Sequence, residues 1–334
     1  MRDKTVIKDQ FGREHNYLRI SLTERCNLRC FYCMPEEGVA LTEKKNLMTH
    51  EEVIFLAKQF VELGVNKIRL TGGEPLIKKG IEKIIRELSA LPISLGITTN
   101  GILLDRYINL LKECGVNDVN ISLDTLDPKK FNKITRRDYF GKVMDNINAA
   151  IDSGLNVKIN VVLIKGTNDD EITDFVEHTK DHKIVVRFIE FMPFDGNKWN
   201  TEKVVPLDAI LAQLNTYYGH NQLIKLTDKK NDTTKNYKIK GYQGSFGIIS
   251  TVSNPFCDSC NRIRLTANGQ IKNCLFSLVE TDLLAALRKG QDIKEVILKS
   301  VYPKKKVRGG MTSDVEFFDE KNYTQNRSMI VIGG

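Results

Sequence analysis

Cys26, Cys30 and Cys33 stand together in one short stretch, Cys26-Asn-Leu-Arg-Cys30-Phe-Tyr-Cys33. Three thiols this close on the chain can wrap one corner of an inorganic cluster. A [4Fe–4S] cluster normally takes four cysteines, so three leave one iron without a protein ligand and able to do chemistry. A structural zinc site would want four ligands in a tetrahedral array, and no histidine or fourth cysteine lies nearby. A second set, Cys257-x2-Cys260-x13-Cys274, again offers three thiols and again has no adjacent histidine, since the histidines are His15, His50, His178, His182 and His220. A zinc ribbon would repeat the C-x2-C pair, and this set does not, so a second cluster with an open iron is the better reading. The remaining cysteine, Cys114, closes a helix-like stretch and reads as core.

The chain around these sets is long enough, at 334 residues, for one large domain and a smaller one. Apolar, β-branched runs recur at Tyr17–Leu22, Lys67–Thr71, Ser94–Thr98, Asp118–Leu123, Asn156–Leu163 and Ile184–Glu190. Between most of them lie stretches of helical period, Glu51–Leu63, Ile81–Leu91, Leu104–Cys114, Lys142–Ser153 and Glu171–Lys180, and Gly64, Gly115 and Gly154 sit where helix C-caps belong. This alternation predicts a parallel sheet covered on both faces. We read residues 1–205 as a partial (β/α)6 barrel of the TIM type, with a doubly wound sheet as the runner-up. Residues 206–320 are read as a smaller C-terminal cluster-binding and substrate domain, and 321–334 as a tail ending Gly-Gly. In barrels the chemistry gathers at the C-terminal ends of the strands. The first cysteine loop, Gly72-Gly73-Glu74, Thr98-Thr99-Asn100, Ser122-Leu-Asp124 and Met192 all follow or end the predicted strands. The polar stretch Gly219–Lys240 carries no motif and is given no role.

Basic residues inside apolar strands are the next anomaly. Arg19 lies in Leu-Arg-Ile, Arg187 in Val-Val-Arg-Phe-Ile, and Lys67/Arg69, Lys158/Asn160 and Arg262/Arg264 alternate, which puts each pair on one face of a strand. Ion pairs with Glu74, Asp124 or Glu190 can absorb some of these cations but not easily all. A polyanionic ligand in the barrel mouth accounts for them better, and arginine suits phosphate geometry. Neither a Walker A sequence nor a dinucleotide G-x-G-x-x-G is present, so phosphate would be held by side chains. Lys304-Lys305-Lys306 reads as a solvated loop. The N-terminal Met1-Arg-Asp-Lys-Thr lacks the apolar core of a signal peptide, and no apolar run approaches membrane-spanning length. The expectation is a cytoplasmic protein with no membrane or nucleic-acid partner.

Together the two cysteine sets, the Gly72-Gly73-Glu74-Pro75 turn, Arg262-Ile-Arg264 and the terminal Gly-Gly resemble the GTP 3',8-cyclases, the radical S-adenosylmethionine (SAM) enzymes that open molybdenum-cofactor biosynthesis. The resemblance implies two [4Fe–4S] clusters, one on Cys26, Cys30 and Cys33 with SAM chelated at its open iron, the other on Cys257, Cys260 and Cys274 meeting the guanine. It implies SAM contacts from Tyr32, Gly73, Ser122 and Met192, to which we add Glu74 and Asn160. It implies GTP contacts from Arg19, Arg69, Thr98, Lys158, Arg262 and Arg264, with Lys67 and Arg187 completing a triphosphate cradle, and it gives Gly333 and Gly334 a catalytic place. The implied reaction cleaves SAM reductively to a 5'-deoxyadenosyl radical, which takes the hydrogen from C3' of GTP. The sugar radical then adds to C8 of the guanine, giving 3',8-cyclo-7,8-dihydro-GTP. The implied partners are cyclic pyranopterin monophosphate synthase as the next enzyme and flavodoxin or ferredoxin as electron donor, with homodimer formation left open. The tail departs from the family's, being apolar before the glycines at Met329-Ile-Val-Ile332.

Two other readings compete. A different radical SAM enzyme with an auxiliary cluster, such as a peptide-modifying one, would not need an arginine cradle. A zinc- and nucleic-acid-binding module is motivated by the pI near 9.0 and a formal charge of +8, but it leaves the β/α pattern and Gly-Gly-Glu-Pro unexplained.

Overall fold

The computed structural model describes residues 5–35 and 37–333. Six parallel strands run in chain order through the middle of one sheet: β1 (Tyr17–Ser21), β2 (Lys67–Thr71), β3 (Ser94–Thr99), β4 (Asp118–Ser122), β5 (Asn156–Leu163) and β6 (Val185–Glu190). The helices that return the chain are α1 (His50–Glu62), α2 (Ile81–Ser89), α3 (Ile108–Glu113), α4 (Pro128–Thr135), α5 (Phe140–Asp152) and α6 (Ile172–Glu177). This is the expected partial barrel, and the glycines Gly64, Gly115 and Gly154 all stop helices with positive φ.

The period of two in each strand sorts the side chains. Leu18 and Ile20 of β1, Ile68 and Leu70 of β2, and Ile159 and Val161 of β5 are buried under the helices in one continuous apolar core with Phe60, Ile84 and Ile147. A fully buried side chain of this size contributes about 1.5–3 kcal/mol. The alternate positions, Tyr17, Arg19 and Ser21, then Lys67, Arg69 and Thr71, then Lys158 and Asn160, necessarily face the barrel interior. The strands satisfy both demands at once, which is why polar residues interrupt otherwise apolar runs.

The C-terminal part does not form a separate sheet. After α7 (Leu207–Tyr218), strands β7 (Leu223–Lys225), β8 (Lys235–Ile239) and β9 (Ser245–Ile249) extend one edge, with β9 parallel to β6. Strands β10 (Arg262–Leu265), β11 (Gln270–Lys272) and β12 (Thr281–Asp282) extend the other, with β10 parallel to β1. The whole is one sheet ordered β12-β11-β10-β1-β2-β3-β4-β5-β6-β9-β8-β7. Gly219–Lys240, which showed little periodicity, holds the β7–β8 hairpin. Helices α8 (Leu283–Arg288) and α9 (Ile293–Val301) flank Gly290, and the tail folds into short turns α10 (Asp314–Phe318), α11 (Glu320–Tyr323) and α12 (Met329–Ile332).

Candidate active site

The first cysteine loop leaves β1 and is pinned from below by α4, where Arg29 and Phe31 donate their backbone N–H to the carbonyls of Thr135 and Ile134 at 3.0 and 3.1 Å. The turn after β2 lies directly on this loop. Gly73 donates to the Thr23 carbonyl at 2.7 Å and Glu74 to the Arg25 carbonyl at 2.8 Å. A Cβ on Gly73 would come within 2.3 Å of the Arg25 oxygen, so only glycine lets the two backbones approach. Cys26, Cys30 and Cys33 line a cavity of about 200 Å³ together with Tyr32, Gly72, Gly73, Thr98, Ser122, Asn160 and Met192. The structure thus brings most of the expected SAM residues to one rim. Glu74 is the exception: its carboxylate accepts from Leu76 N at 2.9 Å, Thr99 Oγ1 at 2.8 Å and Asn100 N at 2.7 Å, which makes it a brace between the loops after β2 and β3.

Burial pushes the Cys26 thiol up to about 11 and Cys33 up to about 12, and it raises Cys30 well above its ordinary value, with the neighbouring sulfurs adding to the shift in Cys30 and Cys33. Three buried thiols that resist ionisation side by side fit a site for a cationic group, which would hold them as thiolates. Among the described residues no group of three His, Cys, Asp or Glu converges closely enough for a single metal ion. Asp124, which ends the Ser122-Leu-Asp124 segment expected at this rim and is also a possible counter-ion for buried cations, joins this pocket. Tyr32 Oη donates to its Oδ2 at 2.5 Å and Val162 N to its Oδ1 at 2.9 Å, while burial pushes its carboxyl up to about 6. Asn100 also approaches from the loop after β3, its amide 3.7 Å from Cys26 Sγ.

Deeper in the barrel the strand register stacks the cations in layers. Arg19 pairs across with Arg69 on β2 and Arg264 on β10, and Tyr17 pairs with Lys67 and Arg262. Asn120 stands between Thr98 and Lys158, and Asn160 between Ser122 and Arg187. Gly96 makes room for Arg69, since a Cβ there would sit 3.0 Å from its guanidinium. Arg69 donates to Tyr17 Oη and to the Ile97 carbonyl, both at 2.9 Å, and Lys158 reaches Asp118 at 3.3 Å. Arg187 leaves Nε and Nη2 shielded from solvent with no hydrogen-bond partner among the described residues, and Arg262 leaves Nη1 so. Burial and then the neighbouring cations bring Arg187 and Arg264 down to about 9. Burial alone would raise Tyr17, but Arg69 and Arg19 beside it bring its phenol down to about 7. The floor of the barrel is therefore a concentrated positive field in want of an anion.

The second cysteine set sits at the N-terminal end of β10 and just past β11. Cys260 differs from the first set: burial opposes its ionisation, yet Lys304 and Arg262 bring it down to about 7. The apolar tail crosses from one set toward the other. Ser328 Oγ donates to the Cys33 carbonyl at 2.8 Å, and Ile330 and Val331 pack with Met34 beside Cys26 and Cys33. Arg264 then donates to the Gly333 carbonyl. A Cβ on Gly333 would meet Thr71 Oγ1 at 2.8 Å and Ser21 Cβ at 2.9 Å, so the glycine is needed to enter the barrel mouth. Gly334 lies outside the described residues. The apolar residues before the glycines, a departure noted in the sequence, form the seal over the first loop.

Comparison with known proteins bears on this arrangement. Residues 20–179 match the Radical SAM superfamily, and residues 184–309 match the region described as Molybdenum Cofactor Synthesis C. The chain is 49% identical to the mitochondrial GTP 3',8-cyclase of Arabidopsis thaliana over 98% of its own length and 84% of that protein. It is 44% identical to the GTP 3',8-cyclase of Peptoclostridium acidaminophilum over 100% of both. It also matches Homo sapiens Molybdenum cofactor biosynthesis protein 1 at 47% identity over 98% of the chain, spanning about half, 51%, of that longer protein. Among solved structures, SAM-bound SuiB of Streptococcus suis shares the fold, with a TM-score of 0.58 at 17% identity over 84% of this chain and 65% of that one.

Proposed function

The chain belongs to the GTP 3',8-cyclase family of radical SAM enzymes, and from that membership we propose that it carries out the first step of molybdenum-cofactor biosynthesis, the conversion of GTP to 3',8-cyclo-7,8-dihydro-GTP. The family brings with it a [4Fe–4S] cluster and SAM. Cys26, Cys30 and Cys33 would hold that cluster, which when bound supplies the electron for reductive cleavage of SAM. Cys257, Cys260 and Cys274 would hold a second.

The observation that carries the substrate is the cation floor. A triphosphate entering the barrel would meet Arg19, Lys67, Arg69, Lys158, Arg187, Arg262 and Arg264, of which Arg187 Nε and Nη2 and Arg262 Nη1 have no hydrogen-bond partner among the described residues. Binding then replaces cation–cation repulsion with charge-assisted hydrogen bonds. Held by its phosphates at the floor, the nucleotide projects its sugar toward the rim, where Gly73, Ser122, Asn160 and Met192 would position SAM. The tail, reaching from the Cys33 carbonyl to Arg264, would keep water from the space between the two ligands, which a radical reaction requires. Glu74 would act by holding the loops after β2 and β3 in place. Cyclic pyranopterin monophosphate synthase as the consumer of the product, and flavodoxin or ferredoxin as electron donor, belong to the same proposal.

The test is anaerobic incubation of the reconstituted protein with SAM and dithionite, with and without GTP, measuring 5'-deoxyadenosine. Formation strongly stimulated by GTP, with GTP consumed, is expected. SAM cleavage indifferent to GTP would leave the family intact and remove the substrate.

A further inference from the structure

We propose that Lys304 is a positioning residue for the second cysteine site: its ammonium, aimed by His15 and Asp9, hydrogen-bonds the Cys260 sulfur and makes a cluster held there easier to reduce. This rests on the reading of Cys257, Cys260 and Cys274 as cluster ligands. Lys304 opens a run of three lysines whose sequence reads as a solvated loop. Lys305 and Lys306 are exposed, but Lys304 is only 2% exposed. Burying an ammonium needs acceptors for each of its three protons, and the structure supplies three. Nζ lies 2.9 Å from the Arg262 carbonyl, 3.4 Å from Cys260 Sγ and 3.5 Å from His15 Nδ1.

The far side of the histidine is equally determined. His15 is 1% exposed, and its Nε2 lies 3.0 Å from Asp9 Oδ2. With Nε2 donating to the carboxylate, Nδ1 keeps its lone pair and can accept only from the lysine, so Asp9 sets the tautomer that aims Nζ. Asp9 is itself held by Arg13, at 2.6 Å from Nε, and Arg13 Nη1 clamps the two loops together by donating to the Cys257 carbonyl at 2.7 Å and the Lys306 carbonyl at 2.9 Å. Among the described residues the first set has no side-chain cation hydrogen-bonded to a sulfur: the side-chain donor near Cys26 Sγ is the neutral amide of Asn100, and the Arg29 guanidinium donates to the Cys26 carbonyl at 2.6 Å instead. Hydrogen bonds to sulfur and local charge set iron–sulfur potentials. The asymmetry therefore orders the two sites, with the second accepting an electron more readily.

The experiment uses the full chain carrying Cys26→Ser, Cys30→Ser and Cys33→Ser, reconstituted so that only the second site holds iron, with folding checked by circular dichroism. Its potential is read by redox titration followed by electron paramagnetic resonance. Lys304→Met is expected to lower the reduced-to-oxidised ratio at fixed potential about tenfold, a shift of roughly 59 mV for a one-electron couple. Lys304→Arg, which keeps charge and donors, is expected to recover most of it. A lysine that merely holds loops together would leave the midpoint unchanged at equal iron content, and that result overturns the proposal. Should Lys304→Met fail to assemble, the chain with Lys304 intact and 15N-lysine incorporated is expected to show a nitrogen hyperfine coupling on the reduced cluster, and absence of that coupling overturns the proposal as well. A folded triple-serine chain that binds no iron would instead remove the second cluster itself, and the role of Lys304 with it.

Discussion

Arg187 illustrates how a residue can be costly to the fold and still retained. Its guanidinium lies in the barrel with Nε and Nη2 unanswered among the described residues, so part of a desolvated charge is left there without a hydrogen-bond acceptor. Replacement by methionine is expected to leave the melting temperature of nucleotide-free protein unchanged or higher. The same change is expected to lower kcat/KM for GTP tenfold or more, since a hydrogen bond to a charged group is worth about 1.5–3 kcal/mol and about 1.4 kcal/mol is tenfold. A lower melting temperature with GTP kinetics unchanged would mark Arg187 as structural. Tyr17 adds a proton to the same event. In the free protein its phenol titrates at about 7 because Arg69 and Arg19 outweigh its burial. A bound triphosphate would neutralise those cations and let the pKa rise toward its ordinary 10.0. At a pH between the two values, GTP binding should therefore take up close to one proton, seen as a dependence of the calorimetric enthalpy on buffer ionisation heat. Tyr17→Phe should abolish the uptake, and equal enthalpies in all buffers for the unsubstituted protein would contradict the shift.

At the level of elements, the parts legible in the sequence are those where one local rule suffices. The β/α alternation, the glycine caps and the alternation of cations in β1, β2, β5 and β10 all follow from periods of two and 3.6. Helix α4 was missed although Asp127-Pro128 carries its start, with Asp127 accepting from Lys130 N at 2.8 Å and proline at the first helical turn. The role of Glu74 could not be read, because its partners Thr99 and Asn100 come from the next strand's loop. The place of the tail was equally hidden, since Arg264 and Gly333 meet only through the fold. These elements give two tests. Gly73→Ala would drive a methyl into the Arg25 carbonyl, displacing the cysteine loop. Such overpacking costs about 1–3 kcal/mol, so SAM cleavage is expected to fall at least tenfold while the protein still folds cooperatively in denaturant titration. Gly333→Val is expected to spare cluster content, measured as iron per chain, yet withdraw the tail from Ser21 and Thr71 and lower GTP-stimulated 5'-deoxyadenosine formation. Full stimulation in this variant would mean the tail does no more than cover the loop.

For the whole molecule, the seam suggested by sequence is not a mechanical one. The expected boundary between residues 205 and 206 divides the chain on paper, and the two family regions meet between residues 179 and 184. The sheet does not divide there. β9 lies against β6 and β10 against β1, so both edges of the six-stranded barrel are closed by strands from the C-terminal part. Phe246 and Ile248 on one edge, and Ile263 and Leu265 on the other, are 0% exposed and belong to the same core as Leu18 and Phe188. Removing them forfeits roughly 6–12 kcal/mol at about 1.5–3 kcal/mol each, as much as the whole stability of a typical domain. It also bares two sheet edges to aggregation. Residues 1–205 expressed alone are therefore expected to be insoluble, and co-expression with 206–334 should return soluble, cooperatively melting protein. A soluble barrel fragment with a sharp melting transition would show that the first region folds by itself. In that case the cysteine sets would be tied together by the substrate and the tail, not by the sheet. The continuous sheet favours the first outcome: β1 leads into the first cysteine loop at one end and, through Tyr17 and Arg19, faces the β10 arginines beside Cys260, so a single strand fixes the spacing between the two centres.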